Sequence, residues 1–292
     1  HLSIRRQRQM CIRDRIFLKT LVERFFFVRR QAQGNMQDLL NRYCSRFEAE
    51  NVKRIVRAKH GLKTVEEPDL IPLPREYTLV NFPALLKAKD VDEVVALLRE
   101  TAYRSLLEKL QPYREFKATI VLEAALDKIY FGKVWEAVSK IRHREGLKDL
   151  IGEEIDLRNL LLVFSLKMRD VSPSLIEETL MPLSYKLPKT TLRSLLQTRI
   201  EDAPGILTRY FKLASEAVNS IKGGSSLPLE NPFFKQLYDD ATTALRTYSL
   251  DVAYIVAYLL LCECEAKNLV TIVTGKQLDL SEEKISQVLF GV

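Results

Sequence analysis

Gly275-Lys276 ends like a phosphate-binding loop, in which backbone N–H groups and a lysine cradle phosphate oxygens. That loop needs Gly-x-x-x-x-Gly-Lys-[Ser/Thr] between a strand and a helix. Here Val270 stands where the first glycine belongs, Gln277 follows the lysine, and a helical pattern precedes the motif. Asp239-Asp240 resembles the paired acids that hold magnesium diphosphate in helical isoprenoid enzymes, but Ala241-Thr242-Thr243 supplies no third acid, and the pair reads as a solvated helix face. Cys262-x-Cys264 has no second pair and no nearby histidine, as a tetrahedral zinc site requires. Both cysteines lie in an apolar helical stretch and read as small core residues, which suits a reducing, cytosolic setting. His60 and His143 have no acids or cysteines at useful spacing, and no serine sits in a nucleophile motif. The expectation is a chain with no catalytic site, no cofactor and no metal.

Another set of polar residues recurs along the chain. Residues 48–59 read EAENVKRIVRAK, 156–167 read DLRNLLLVFSLK and 265–276 read EAKNLVTIVTGK. Each has an acid (Glu48, Asp156, Glu265), an asparagine three residues on (Asn51, Asn159, Asn268) and a lysine eleven residues after the acid (Lys59, Lys167, Lys276). The asparagines are 108 and 109 residues apart. Because they occur three times, these polar residues read as structural, serving helix ends and hydrogen bonds between helices.

The elements that hold them are helical. Val52, Ile55 and Val56 follow the first asparagine, Leu160, Val163 and Phe164 the second, and Leu269, Ile272 and Val273 the third. This spacing puts each trio on one helical stripe. Acid and lysine are expected near opposite helix ends, where their charges suit the helix dipole. Five residues after Lys167 and Lys276 come Ser172 and Ser281, followed by Pro173 and Glu282, which read as N-caps of a following helix. In the first copy Thr64 and Glu67 have capping-box spacing. Leu70-Ile71-Pro72-Leu73 corresponds to Leu180-Met181-Pro182-Leu183. Internal repetition at a fixed period decides architecture before any fold is named. The chain reads as three similar helical units in tandem, 1–75, 76–184 and 185–292, the first shortened because one period back from its end begins before residue 1.

Further helices are expected over 16–30, 36–60 (ended by Gly61), 91–110 (capped by Asp90), from Pro112 through Val134, 192–198, 209–221, and from Asn231-Pro232 to about 247. Gly146 and Gly152 are expected to bracket a break, and Gly223-Gly224-Ser225-Ser226 to form a hinge. Ser249 or Asp251 is expected to cap the last long helix. With 10 Gly in 292 residues and no strand pattern, the fold class is all-α. The most apolar run, 252–262, is far shorter than the roughly 20 residues that span a bilayer.

The net charge of +7 invites a nucleic-acid reading. Residues 1–15 alone carry +4 of it, which leaves too little excess for a basic binding face. That segment reads either as a basic arm or as non-native sequence, since Met10 to Arg15 looks like a translated adapter string.

The triplication, together with Glu265-x-x-Asn268-Leu269, Gly275-Lys276 and Glu282-Glu283-x-Ile285, resembles the C subunit of the A/V-type rotary ATPases, whose counterpart in eukaryotic vacuolar enzymes is the d subunit. The resemblance covers about residues 16–292 and is clearest in the last third; it departs at the N-terminus, where at least 30 residues of the family's first unit are expected to be absent. It implies a non-catalytic, funnel-shaped rotor part with pseudo-threefold symmetry, on the cytoplasmic side of a membrane. Its partners would be the ion-carrying proteolipid ring and the central axle subunits, and its task torque transmission. A helical scaffold for other protein partners is the alternative, although the usual solenoid repeats are much shorter.

Overall fold

A computed structural model describes the backbone of residues 2–211 and 227–291, and the side chains of residues 15–211, 232 and 234–291. The described residues form α-helices and short 3-10 turns, with no strand among them. Contacts divide the chain into two compact units, His1–Lys140 and Ile141–Val292.

The first unit begins with α1 (Leu2–Gln31) and α2 (Gly34–His60). The two pack through aromatics: Phe25 stacks on Tyr43 and meets Phe47 edge-on, with ring centroids 5.9 and 4.9 Å apart. Short helices α3 (Phe82–Lys87) and α4 (Val91–Leu97) follow, then α5 (Leu110–Phe116) and α6 (Ile120–Ser139). Val52, Ile55 and Val56 of α2 share one core with Val80, Leu85, Val91, Val94 and Leu122. Charged pairs Arg42–Glu136, Lys53–Asp127 and Arg57–Glu123 run in opposite directions along α2 and α6, so these helices lie antiparallel.

The second unit holds α7 (Glu145–Lys167), α8 (Pro173–Thr179), α9 (Lys189–Gln197), α10 (Ala203–Leu207), α11 (Leu227–Thr247), α12 (Val252–Gln277) and α13 (Glu282–Ser286). Its long helices α7, α11 and α12 pack together, and α8 and α9 lie against α7.

Several local expectations are corrected. The helix from Val91 stops at Leu97; Asp90 caps it by accepting from the Glu93 amide at 2.9 Å. The helix expected from Pro112 through Val134 is broken at Lys117, which takes φ 48° between α5 and α6. Asp69, not Glu67, accepts from the Glu66 amide at 2.9 Å, so the capping box lies two residues beyond the Thr64 frame. Gly61 is not left-handed. Leu62 takes that conformation, as Asp170 and Asp279 do after α7 and α12. Each helix then closes with the same amide-to-carbonyl bond back over five residues: Lys63 to Ala58, Val171 to Leu166, Leu280 to Gly275, at 2.9 to 3.1 Å. This is the Schellman ending, here without glycine at the left-handed position. Pro232 lies inside α11, which starts at Leu227. Of the 209–221 helix and the 223–226 hinge, everything after 211 lies outside the described residues.

Gly146 and Gly152 do not bracket a break; both lie within α7. Their role is close approach. A Cβ on Gly146 would meet the Tyr248 ring at 2.7 Å, and one on Gly152 would meet Tyr185 Cγ at 2.3 Å. Tyr185 is held over Gly152 by its hydroxyl, which donates to Asp149 at 2.6 Å. Gly152→Ala is therefore expected to destabilise the chain by about 1–3 kcal/mol through overpacking, against the gain in helix propensity. A lower denaturant midpoint at unchanged slope is the measurement; an equal or higher midpoint would show that the Tyr185 ring yields at no cost.

Candidate functional site

The three asparagines sit in the second half of α2, α7 and α12, and each binds backbone far along the chain. Asn51 Oδ1 accepts from the Ile71 amide at 2.7 Å, and its Nδ2 donates to the Ile71 carbonyl at 2.9 Å. Asn268 does the same with Phe290, at 2.9 Å in both directions. Asn159 Oδ1 accepts from the Met181 amide at 2.8 Å, while its Nδ2 lies 3.4 and 3.3 Å from the carbonyls of Met181 and Leu183. One side-chain amide thus grips both polar groups of a single residue 20 to 22 positions downstream. Only a primary amide offers donor and acceptor together at this spacing. Asn51 and Asn159 are buried, Asn268 half-buried.

The acids extend this grip. Glu48 Oε2 accepts from the Leu79 amide at 2.7 Å and Oε1 from the Tyr103 hydroxyl at 2.9 Å. Asp156 Oδ1 accepts from the Tyr185 amide, and Oδ2 from those of Lys186 and Leu187, at 2.7 to 3.0 Å. Both acids are mid-helix and buried, so their partners are these amides and not the helix dipole. Burial raises both carboxyls above the usual range, and the hydrogen bonds to the charged form offset part of that rise. The same burial, with Glu48 adjacent, raises the Tyr103 hydroxyl. Lys133, partly buried and near Glu48, titrates below an ordinary lysine because its own desolvation outweighs the attraction. Glu265 is exposed on α12.

The lysines close the pattern from the last turn of each helix. Lys59 Nζ donates to the Leu86 carbonyl at 2.8 Å, in the final turn of α3. Lys167 Nζ donates to the Leu196 carbonyl at 2.6 Å, in the final turn of α9. A cation there meets carbonyls that the helix leaves unpaired. Desolvation lowers Lys167 from an ordinary lysine value. Lys276 is exposed. Acid and lysine of the first copy thus end on residues 79 and 86, past the repeat boundary at 75 read from the sequence.

The residues that invited enzymology are placed otherwise. Gly275 is buried where α12 meets α13, and a Cβ there would strike Ile285 Cγ1 at 2.7 Å. Asp239 and Asp240 lie on α11, with Asp240 accepting from Gln236 at 3.0 Å. His60 Nδ1 is 2.9 Å from the Tyr113 hydroxyl. Cys262 and Cys264 are buried and form no disulfide, and burial pushes the Cys264 thiol up to about 12. Among the described residues no three His, Cys, Asp or Glu side chains come together as metal ligands. Ser172, Ser281 and Asp251 cap α8, α13 and α12 through bonds of 3.5, 3.4 and 3.3 Å.

Reading the sequence found the gripping residues but not what they grip. The signal was present in Leu70-Ile71-Pro72-Leu73 and Leu180-Met181-Pro182-Leu183, whose second residue is the one held. In the third copy Gly291 stands where Pro72 and Pro182 stand, which hides the match.

The model of the ATP synthase (C/AC39) subunit family matches residues 13–288. The C subunit of the A-type ATP synthase from Haloquadratum walsbyi is 28% identical over 283 residues, covering 92% of this chain and 79% of that protein. That from Archaeoglobus fulgidus is 26% identical over 254 residues, with 87% and 72% covered. That from Methanocaldococcus jannaschii is 25% identical over 285 residues, with 93% and 70% covered.

Two outcomes test the grips. Asn51→Ala or Asn159→Ala leaves a buried amide and carbonyl unpaired and is expected to cost about 2–4 kcal/mol. Asn268→Ala, half exposed to water, should cost about 1 kcal/mol. Urea melts giving Asn268 the largest loss would contradict the burial argument. The second outcome concerns acid. The folded chain holds the Asp156 proton more tightly than the unfolded chain, whose aspartates titrate near about 3.9. That contribution is full below the unfolded value and is lost as pH rises through the raised folded one. The stability advantage of the natural chain over Asp156→Asn should therefore shrink as pH rises through that window, in melts taken at several pH values. An advantage that grows with pH would show that the three amide bonds outweigh burial.

Proposed function

We propose, from the premise that the chain belongs to the ATP synthase (C/AC39) subunit family, that it is a non-catalytic central-stalk subunit of an A/V-type rotary ATPase. In this reading it seats on the cytoplasmic side of the proteolipid ring, receives the foot of the axle subunits, and passes torque between proton or sodium flow and ATP chemistry performed elsewhere. The observation that carries it is the family match across residues 13–288. In this reading the chain is three repeat units, 1–75, 76–184 and 185–292, set about one axis as a funnel; the recurrence of the asparagine grip in α2, α7 and α12 supports the repetition alone. Rigidity suits a torque-bearing part. Each grip spends a side chain on fixing backbone, and seven of the nine repeated residues, all but Glu265 and Lys276, are used in this way.

No helix among the described residues is long and apolar enough to cross a membrane. Attachment to the ring is accordingly assigned to surface side chains, with the protein peripheral to the membrane. The test is reconstitution of the chain with a purified proteolipid ring and purified axle subunits, read by co-sedimentation and by ATP turnover of the chain alone. Binding to both partners and no turnover are expected. Failure to bind either, where a known rotary complex assembles, would refute the assignment.

A further inference from the structure

Gly146, Asp149 and Gly152 follow one another at intervals of three residues on α7, so they lie along one side of the helix. The glycines are two notches with the aspartate between them. A tyrosine ring from a different part of the chain fills each notch. Tyr185, from the stretch after α8, lies over Gly152, where a Cβ would meet its Cγ at 2.3 Å. Tyr248, from the turn into α12, covers Gly146 with the hydroxyl end of its ring, where a Cβ would meet Cε2 at 2.7 Å. Ala253, in the first turn of α12, closes on the same glycine, with its Cβ 2.9 Å from that position.

Both hydroxyls interact with the one carboxylate between the rings. The Tyr185 hydroxyl donates to Asp149 Oδ1 at 2.6 Å. Tyr185 is pushed up to about 12, by burial first, then by that bond and the Asp149 charge, with Tyr248 and Asp156 adding to the effect. Tyr248 is raised as well, by desolvation first, then by the charge of Asp149 and a hydrogen bond to it, with Asp251 and Glu145 adding to the effect. A carboxylate has two acceptor oxygens and can serve both donors. What lies behind each ring differs. Behind Tyr185 are the amides of residues 185–187, which bond Asp156. Behind Tyr248 is the start of α12: the Tyr248 carbonyl accepts from the Asp251 amide at 3.0 Å, and Asp251 caps the helix.

We propose that Asp149 is a two-tyrosine latch, tying the backbone held by the second repeated helix to the turn that starts the third, so that the two segments open together. Loosening at either ring is then felt at the other. The coupling runs through two hydroxyls and one carboxylate, which conservative substitutions remove without emptying either notch.

The test is native-state amide exchange of the full chain carrying Tyr248→Phe or Tyr185→Phe, each of which keeps the ring and removes one hydroxyl. Tyr248→Phe should speed exchange at residues 185–187. Tyr185→Phe should speed it at the Ala253 and Tyr254 amides, which bond Asp251. Each effect should be roughly twofold or more, as for groups that share a partner. The Ile285 amide, bonded to the Ser281 carbonyl in α13, should not change. In an Asp149→Asn background Tyr248→Phe should have no further effect at 185–187. Asp149→Asn should also lower the titration midpoint of Tyr185, read by NMR at the ring carbon that bears the hydroxyl, a shift that ring packing alone does not produce. Should Asp149→Asn fail to fold, the two phenylalanine variants and their double variant still decide, since additive effects would mean two independent contacts. Unchanged exchange at 185–187 in Tyr248→Phe would overturn the latch. So would equal speeding at Ile285, which would assign the effect to general loss of stability. An undiminished Tyr248→Phe effect in the Asp149→Asn background, or an unmoved Tyr185 midpoint, would likewise remove Asp149 from the coupling. Every readout is taken on the chain alone, so the outcome is independent of the stalk assignment.

Discussion

A side-chain amide that binds both polar groups of one distant residue is the constraint from which the rest of this structure follows. A single hydrogen bond fixes a distance; a paired donor and acceptor fixes an orientation too. Burying an unpaired amide costs several kcal/mol, on the order of 2–7 by transfer measurements. Asn51 is therefore an asset only when Ile71 arrives in one pose. The chain leaving α2 must then turn within 20 residues, and it does so through the left-handed Leu62 and a 3-10 turn over Glu67–Asp69. After α7 and α12 the same turn is made through Asp170 and Asp279. That non-glycine residues accept this conformation three times, at about 1–2 kcal/mol each, indicates that the downstream grip outweighs the local cost.

Acid and lysine work on the same principle at longer reach. Asp156 collects three consecutive amides, which forces residues 185–187 to wrap around one carboxylate. Tyr185 is thereby delivered over Gly152, where its ring fits because no Cβ stands in the way. Packing and hydrogen bonding are thus not separate stabilisers here. The glycine makes room for a ring that the aspartate has already placed, and Asp149 holds the far end of that ring.

How much of this was legible in the sequence depends on which side of each interaction is considered. The gripping side was legible, because donor and acceptor chemistry requires Asn, an acid or Lys, and a fixed period repeats them. The gripped side was mostly hidden, because a backbone amide carries no residue signature: Leu79, 74% exposed, could be almost anything. Where the gripped segment kept Pro72 and Pro182 the match showed; where Gly291 replaces proline it did not. The acids were misplaced at helix ends because an acid and a lysine eleven residues apart suggest a helix of that length, whereas α2, α7 and α12 begin well before it. Gly146 and Gly152 misled for a related reason. A glycine that admits a neighbouring ring and a glycine that ends a helix look alike until the ring is located. Helix content and helix order were readable, since apolar stripes of period 3.6 arise on helices and rarely elsewhere.

The third copy separates the grip from its cover. Asn268 holds Phe290 at 2.9 Å in both directions, as closely as Asn51 holds Ile71, although it is half-buried. The apolar trio that follows it, Leu269, Ile272 and Val273, is exposed or half-buried, whereas the trios of α2 and α7 are buried. The grip therefore does not need the apolar trio beside it to be buried. It draws on its own local support: Phe290 packs against Phe234, and Lys267 places its ammonium 3.3 Å from the centre of the Phe234 ring. The apolar trio, in contrast, has no geometry of its own and is buried only as far as something lies on it. A helix that carries both features can keep its turn and its downstream partner fixed while its outer face varies in cover from copy to copy. This is why one template serves twice as an interior helix and once as a helix with an apolar face toward solvent, while the asparagine that defines it keeps the same grip.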